Sequence, residues 1–182
     1  MNYLLEGQQS NRLHFRLLKN SDFKEWMKLF EAENVALFIG FNPNMSANQL
    51  CQLWFDKVFY RYKNNLGGMN VLIDKKTQKL IGQCGLLVQT VEGKEYLEIG
   101  YSILPEYWNQ GYASEASQKC KEFAFENNLA DTLISIVNKD NIQSEKVAIK
   151  NGMTLEKKIN NYGGHPVNVF KIEKVNGLDT SA

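Results

Sequence analysis

The residues from Trp108 to Ala116 are the part of the sequence best suited to bind an anion. They lie between a predicted strand and the first turn of a predicted helix, where backbone N–H groups are unpaired and the helix dipole is positive. The small residues Gly111 and Ala113 would let phosphate oxygens come close to those N–H groups. A single glycine before a helix is, by itself, more often part of an ordinary loop, so this interpretation needs support from elsewhere in the chain.

A second pattern of polar residues follows further along the chain. Asn141 and Ser144 open a predicted short helix, which ends in Lys150 and is followed by Gly152 and Met153. Asparagine and serine at a helix start, and glycine just after its end, are also typical of ordinary helix caps. The functional meaning of this pattern therefore depends on its combination with the first one.

Together the two patterns resemble those of the GNAT acetyltransferase superfamily, and in particular its RimJ/RimL-like branch of ribosomal-protein N-terminal acetyltransferases. Gly111 and Ala113 match the last two fixed positions of the superfamily's pyrophosphate loop. Trp108 departs from the first fixed position in the way that is usual for this branch, and Met153 replaces a phenylalanine of its second signature. The resemblance covers roughly residues 11–172 and includes further matching segments at 11–16, 98–105 and 164–170.

The resemblance implies that the chain binds acetyl-CoA as a cosubstrate and passes its acetyl group to an amine. Ile103 and Leu104 would hydrogen-bond the pantetheine arm in the manner of an added strand, and Asn141 would contact the same arm from the other side. The pyrophosphate would be held by the backbone amides of Asn109, Gln110, Gly111, Tyr112, Ala113 and Ser114.

Glu98 is the predicted catalytic carboxylate. Alternation along its strand places Leu97 and Ile99 on one face and Glu98 on the opposite face, where the resemblance implies the cleft. Glu98 would accept the proton of the acceptor amine directly or through water. The alternative is a solvated carboxylate that pairs with a lysine.

The departing thiolate needs a hydrogen-bond donor, and the sequence contains several candidates for it. The position where many superfamily members carry a tyrosine is Ala148 here. Ser144 is the predicted replacement, although a serine that only caps the helix would look the same. Tyr101 and Tyr112 are further candidate donors. His165 would lie at the mouth of the cleft by resemblance, but a surface or turn position is the more common one for such a histidine.

The periodicity of the chain predicts an α+β fold, with one domain over residues 1–182 and a core at about 11–174. We expect a mixed, mostly antiparallel sheet of about seven strands with helices on both faces and a splayed parallel pair at the cofactor cleft. A stripe of Leu50, Leu53, Trp54 and Val58 marks one helix, which Gly67 and Gly68 would close. The predicted strands are 12–18, 70–73, 79–88, 96–104, 133–137, 154–162 and 165–174, and the predicted helices 23–30, 46–62, 113–124 and 141–151.

The composition narrows the classes of function. The 21 basic and 20 acidic side chains nearly cancel, which disfavours nucleic-acid and membrane-surface binding. Three widely spaced cysteines among apolar neighbours indicate reduced core thiols, and no metal-ligand spacing predicts a metal site. With no leader or membrane-spanning pattern, we expect a cytoplasmic monomer or homodimer.

Three hypotheses about function follow. The first is an acetyltransferase that acts on the N-terminal α-amine of a protein, such as a ribosomal protein. An α-amine with a pKa near 7.8 costs only about 0.5 kcal/mol to deprotonate at pH 7.5, against about 4 kcal/mol for a lysine. The second takes a small amine, such as a polyamine, an amino acid or an aminoglycoside, as acceptor. The third is a non-catalytic sensor that only binds acetyl-CoA.

Overall fold

The computed structural model describes residues 3–175, so residues 1–2 and 176–182 of the predicted domain lie outside the described part. A seven-stranded sheet with the order β1-β2-β3-β4-β5-β7-β6 forms the centre of the molecule. Its strands are β1 (Leu13–Arg16), β2 (Gly67–Asp74), β3 (Leu80–Val91), β4 (Lys94–Ile103), β5 (Thr132–Asn138), β6 (Thr154–Tyr162) and β7 (His165–Glu173). The helices are α1 (Phe23–Met27), α2 (Val35–Phe38), α3 (Ala47–Lys63), α4 (Tyr112–Glu126) and α5 (Ile142–Lys150).

The pairing of the strands confirms the predicted α+β class. Neighbouring strands are antiparallel throughout except for β4 and β5, which are parallel. The connection between these two contains α4, as a strand, helix, strand unit requires. The predicted mixed sheet with one parallel pair is therefore correct.

The two faces of the sheet are covered by different helices. On one face, Ala116 and Cys120 of α4 and Ala148 of α5 pack against Leu72 and Leu86 of the central strands. The other face carries α1 and α3. Their core side chains pack against residues of β2 and β3 such as Val71 and Leu87. These residues alternate along the strands with those on the first face. The alternation places Glu98 on the α3 face, while Leu97 and Ile99 belong to the α4 face.

Two predictions about local structure need correction, and one helix was missed. Leu53 is 41% exposed, because the buried face of α3 is centred on Trp54 and Val58 and Leu53 lies about 100° around the helix from Trp54. Gly67 and Gly68 do not close α3 but begin β2. A side chain on Gly68 would meet the Tyr62 ring at 2.7 Å, which explains the glycine there. The short helix α2 was not predicted, since its four residues are too few for a helical period to be visible.

The cysteines lie in the core, as predicted. Cys51, Cys84 and Cys120 are free and buried, and the sulfur atoms of Cys84 and Cys120 lie 3.4 Å apart between β3 and α4. Burial raises the pKa of Cys51 to about 12, so that thiol stays protonated and inert at neutral pH.

Candidate active site

The parallel strands β4 and β5 separate and leave a cleft of about 710 Å³. They pair only at Leu97 with Leu133 and at Glu98 with Ile134, although both strands continue beyond that point. Two side chains form hydrogen bonds with backbone groups that have no partner on the neighbouring strand because the strands separate. Ser135 Oγ donates to the carbonyl of Ile99 at 2.8 Å, and the Glu98 carboxylate accepts from the N–H of Ile136 at 3.3 Å.

The loop before α4 presents a row of free backbone donors. Gly111 is the N-cap of α4 with φ +79°, and Asn109 also has a positive φ of +60°. Within residues 3–175, no hydrogen-bond acceptor is found for any backbone N–H from Asn109 to Ser114, and the first bonded N–H is that of Glu115, at 3.1 Å from the Gly111 carbonyl. Five of the six residues line the cleft, all except Gln110. The geometry therefore leaves the N–H groups available to an anion.

Arg12 holds this loop from the side of β1. Its Nη1 donates to the carbonyl of Gln110 at 3.1 Å, its Nε donates to Glu115 at 2.6 Å, and its guanidinium lies over the Tyr112 ring at 4.1 Å. In a planar trans peptide the C=O and the following N–H point in opposite directions. The contact to the Gln110 carbonyl therefore turns the N–H of Gly111 away from Arg12. Apart from the matching segment at 11–16, no pattern in the sequence indicates this role.

Ile103 and Leu104 were both predicted to bind the pantetheine arm. They differ in whether their backbone groups are free to bind a ligand. The N–H of Leu104 donates to Ile81 at 3.0 Å, and its carbonyl accepts from the N–H of Tyr107 at 2.9 Å. Its side chain is fully buried, and it does not line the cleft. Leu104 therefore drops out of the candidate contacts. Successive residues of a strand direct their backbone N–H and C=O groups toward opposite neighbouring strands. Because the backbone of Leu104 bonds to β3, the backbone groups of Ile103 are directed toward β5, from which β4 has separated. Its carbonyl already accepts from Trp108 Nε1 at 2.7 Å.

Glu98 is buried at the base of the cleft, with 8% of its surface exposed. Gln89 Nε2 donates to one of its carboxylate oxygens at 2.6 Å, while the other accepts from Ile136. Burial raises the pKa of Glu98, and the two hydrogen bonds and the nearby charges of Arg61 and Lys57 oppose that effect. The alternative of a solvated carboxylate paired with a lysine is therefore wrong. A buried carboxyl with a raised pKa is a suitable proton acceptor.

Two cations of α3 lie on the same side of the cleft as Glu98. Arg61 is 7% exposed and donates to the carbonyls of Leu66 and Val88 and to the Gln89 side chain. Lys57 lines the cleft one helical turn before Arg61. Neither residue was predicted from the sequence. Their spacing of four places them on one face of a helix, but only the fold directs that face toward Glu98.

The candidate donors Ser144 and Tyr101 are bonded to each other on the α4 face. The Tyr101 hydroxyl donates to the backbone carbonyl of Ser144 at 2.7 Å, and the Ser144 hydroxyl donates to the Tyr101 oxygen at 3.1 Å. Asn141 is the actual cap of α5, because its side-chain oxygen accepts from the Ser144 N–H at 3.1 Å. Ser144 is therefore not a cap and keeps a hydroxyl that can rotate. Ala148 is fully buried in the core.

His165, Asn138 and Tyr112 are further residues that line the cleft. His165 begins β7 just after the hairpin turn, as predicted, and it also lines the cleft, where it lies close to Gly40. Asn138 donates to the carbonyl of Leu37 at 3.5 Å and so ties the end of α2 to the end of β5. The Tyr112 hydroxyl donates to Asp74 at 3.1 Å, which makes it a poor donor for a thiolate.

Among residues 3–175, no group of three or more histidine, cysteine or acidic side chains is arranged to hold a metal ion. No helix in that range combines the length and apolar character needed to cross a membrane.

Comparisons of the sequence with known proteins point to one family. Residues 12–154 match the family described as the acetyltransferase (GNAT) domain. YkkB of Bacillus subtilis, an uncharacterized protein, is 32% identical over 57% of this chain, and the chain spans only 59% of the length of YkkB. The uncharacterized N-acetyltransferase YoaA of the same organism is 26% identical over 91% of this chain and 96% of its own length.

Solved structures of acetyltransferases share the fold. An acetyltransferase from Agrobacterium tumefaciens superposes with a TM-score of 0.75 at 22% identity, over 92% of this chain and 94% of that one. RimL, a ribosomal L7/L12 α-N-protein acetyltransferase in complex with coenzyme A, gives 0.72 at 18% identity, over 92% and 97%. A spermidine N-acetyltransferase from Vibrio cholerae, with CoA and spermine, gives 0.68 at 18%, over 89% and 95%.

Proposed function

The chain belongs to the acetyltransferase (GNAT) family, and we propose that it transfers the acetyl group of acetyl-CoA to the N-terminal α-amine of a protein. The observation that carries the proposal is the row of free backbone N–H groups from Asn109 to Ser114, beside a cleft that contains the buried Glu98. The free donors suit a pyrophosphate, and the buried carboxylate suits the acceptor amine.

The residues around the loop fit a CoA pyrophosphate. Gly111 has only a guanidinium nitrogen of Arg12 within 4 Å of the place where a side chain would begin, so its surroundings leave space for an anion. In the proposed complex Asn109, Gln110, Gly111, Tyr112, Ala113 and Ser114 hold the pyrophosphate. Ile103 and Asn141 both line the cleft, and in the proposed complex they contact the pantetheine arm from its two sides. When bound, acetyl-CoA supplies an activated thioester.

Glu98 acts as the proton acceptor in the proposed reaction. Its hydrogen bonds to Gln89 and Ile136 fix the carboxylate in the cleft. The raised pKa of Glu98 makes it a better base than an exposed carboxylate, because its charged form lacks the stabilisation that water gives. The N-terminal α-amine needs little help, since its own pKa lies near neutrality.

Ser144 is the proposed donor to the departing sulfur. Its hydroxyl can rotate away from the Tyr101 oxygen while Tyr101 still donates to the Ser144 carbonyl. Tyr101 then acts as a positioning residue that holds this turn of α5. Burial raises the pKa of Tyr101, which keeps its hydroxyl protonated and able to maintain that contact.

A thiol-release assay tests the proposal. The purified chain is given acetyl-CoA with peptides that carry a free N-terminus, with the same peptides blocked at the N-terminus, and with polyamines, amino acids and aminoglycosides. We expect release with the free peptides and none with the blocked ones. Release with small amines alone would favour the second hypothesis.

The third hypothesis makes a different prediction in the same experiment. A sensor would bind acetyl-CoA tightly in calorimetry but release no thiol with any acceptor. The variant Gly111→Glu provides a check on the binding site, because its negative side chain would repel the phosphates. Unchanged acetyl-CoA affinity in Gly111→Glu would contradict the proposed phosphate loop.

A further inference from the structure

Lys57 is an exposed residue of α3 that lines the cleft, and its ammonium group has no acidic partner within hydrogen-bond or ion-pair distance among the described residues. Within residues 3–175 it makes no hydrogen bond and no ion pair, and its Nζ lies 5.8 Å from the centre of the Phe41 ring. Arg61, one turn further along α3, uses its donors on neutral partners, namely two backbone carbonyls and Gln89. Neither cation is therefore matched by an acid in direct contact.

The charges around Lys57 leave an excess of positive charge. Partial removal from water lowers the pKa of Lys57 although the residue is exposed, Arg61 lowers this pKa further, and Glu98 raises it. Glu98 is thus the acidic group that acts on both cations, and its carboxylate is bonded to Gln89 and Ile136 rather than to either of them. Glu33 also lines the cleft, and within residues 3–175 neither cation forms an ion pair with Glu98 or Glu33. The positive charge of Lys57 is therefore available to an acidic group of the acceptor.

We propose that the acceptor carries a carboxylate close to its reactive amine and that Lys57 binds this carboxylate. The inference rests on the transfer reaction proposed above and defines the chemical class of its acceptor. A carboxylate on Lys57 would cancel the excess charge and leave the amine of the same molecule on the side of Glu98. The two cations also favour the neutral form of the amine, which is the form that reacts.

The same charges disfavour a polyamine as acceptor. Every additional ammonium of a polyamine would bring a like charge toward Lys57 and Arg61, which both line the cleft. A carboxylate next to an amine has two natural sources. It is the side chain of an acidic residue that follows the N-terminal residue of a protein, or the carboxylate of a free amino acid.

Matched acceptor pairs test the inference. One pair consists of two peptides that differ only in Asp or Asn at their second position, and the other of a free amino acid and its carboxamide. We expect kcat/KM to be about tenfold or more higher for the acid in at least one pair, in line with a charge-assisted hydrogen bond. Preference in the peptide pair identifies a protein acceptor, and preference in the other pair an amino acid.

Variants of α3 assign the effect to Lys57. Lys57→Met should lower kcat/KM about tenfold more for the acid than for the amide, and so remove the preference. Lys57→Arg should retain the preference. Lys63→Met, at the exposed end of the same helix and outside the cleft, is the matched control and should behave as the natural chain. Thermal unfolding of each variant checks that the fold is intact.

The outcomes separate this inference from the proposed function. Equal rates for acid and amide in both pairs, or a preference that survives in Lys57→Met, would overturn the carboxylate site while leaving acetyl transfer established. Absence of thiol release with every acceptor would overturn the transfer reaction itself, and the carboxylate site with it.

Discussion

The carboxylate of Glu98 accepts a hydrogen bond from the backbone N–H of Ile136, 3.3 Å away across the gap where β4 and β5 separate. An unpaired buried N–H would cost about 1–3 kcal/mol, so the carboxylate contributes to the stability of the open strand pair. The same contact fixes the carboxylate in the cleft. The proposed base is therefore also part of the structure that keeps the cleft open.

The pH dependence of turnover is the first prediction. Burial raises the pKa of Glu98, so protonation inactivates the base at a pH above the range of an exposed carboxyl. We expect kcat to fall on the acid side through that raised pKa. Glu98→Gln should lower kcat about a hundredfold and remove this acid limb. Glu95→Gln, exposed on the same strand, is the control and should leave the profile unchanged.

Glu98 should make the free energy of unfolding change with pH in the opposite direction from turnover. Because the folded state binds this proton more tightly than the unfolded state, the free energy of unfolding falls as pH rises from the unfolded pKa through the raised folded pKa. At pH values below the unfolded pKa, the carboxyl is protonated in both states and does not lower the free energy of unfolding. The stability of Glu98→Gln relative to the natural chain should therefore increase across it in urea titrations. A constant difference at all pH values would contradict the raised pKa.

The second prediction concerns Arg12 as a positioning residue for the phosphate loop. Arg12→Met keeps the length of the side chain but loses the bonds to Gln110 and Glu115. We expect the KM for acetyl-CoA to rise about tenfold, since a hydrogen bond from a charged donor contributes about 1.5–3 kcal/mol. The KM for S-acetylpantetheine, which lacks the pyrophosphate, should not change.

Arg16, at the end of β1, provides the control for Arg12, which directly precedes that strand. Arg16 pairs with Asp22 at 2.7 Å, and its side chain donates to Asp22 and to the carbonyl of Leu17 rather than to the loop. Arg16→Met should reduce the thermal stability without changing the ratio of the two KM values. If Arg12→Met raises both KM values equally, its effect is on the whole fold and not on the loop.

Ser144 is the subject of the third prediction. Ser144→Ala removes the proposed donor to the sulfur but keeps the backbone carbonyl that Tyr101 binds. We expect kcat to fall about tenfold or more, with little change in the KM for acetyl-CoA. Ser144→Thr, which retains a hydroxyl, should recover much of the activity. Turnover of Ser144→Ala equal to that of the natural chain would remove Ser144 from the mechanism.

The fourth prediction concerns the stability of the N-terminal segment. The buried side chain of Asn70 accepts from the N–H of Leu5 at 3.0 Å and donates to the carbonyls of Gly68 and Cys84 at 3.3 Å. Asn70→Ala should lower the free energy of unfolding by about 2 kcal/mol, because these groups would remain buried without a partner. Urea titration measures the change.

An exposed asparagine provides the comparison for Asn70. Asn127 donates a single hydrogen bond to the carbonyl of Phe123 at the exposed end of α4. Asn127→Ala should change the free energy of unfolding by about 0.5 kcal/mol or less, because water replaces the lost bond. Similar losses for the two variants would show that burial of Asn70 does not determine its contribution.

Local patterns in the sequence were sufficient for most of the fold. The two-residue period of the strands and the helical stripe of Leu50, Trp54 and Val58 depend on near neighbours in the chain, and so does the capping box that the structure forms at Ser46 and Gln49. The loop at Gly111 was predictable for the same reason, because its small residues and the helix that follows are adjacent in the sequence. The placement of Glu98 on the opposite face of its strand from Leu97 and Ile99 follows from the alternation of side chains alone.

The sequence by itself thus determined most of the elements, their order and the face on which Glu98 lies. Only the tertiary structure decided that Glu98 is buried, that the charges of Lys57 and Arg61 lie near it, that Arg12 orients the loop, and that the backbone of Leu104 is already bonded. The physical reason is the range of the interactions. Periodicity and caps depend on residues a few positions apart, whereas burial, charge and hydrogen-bond partners in the cleft depend on residues that are distant in the chain and meet only after folding.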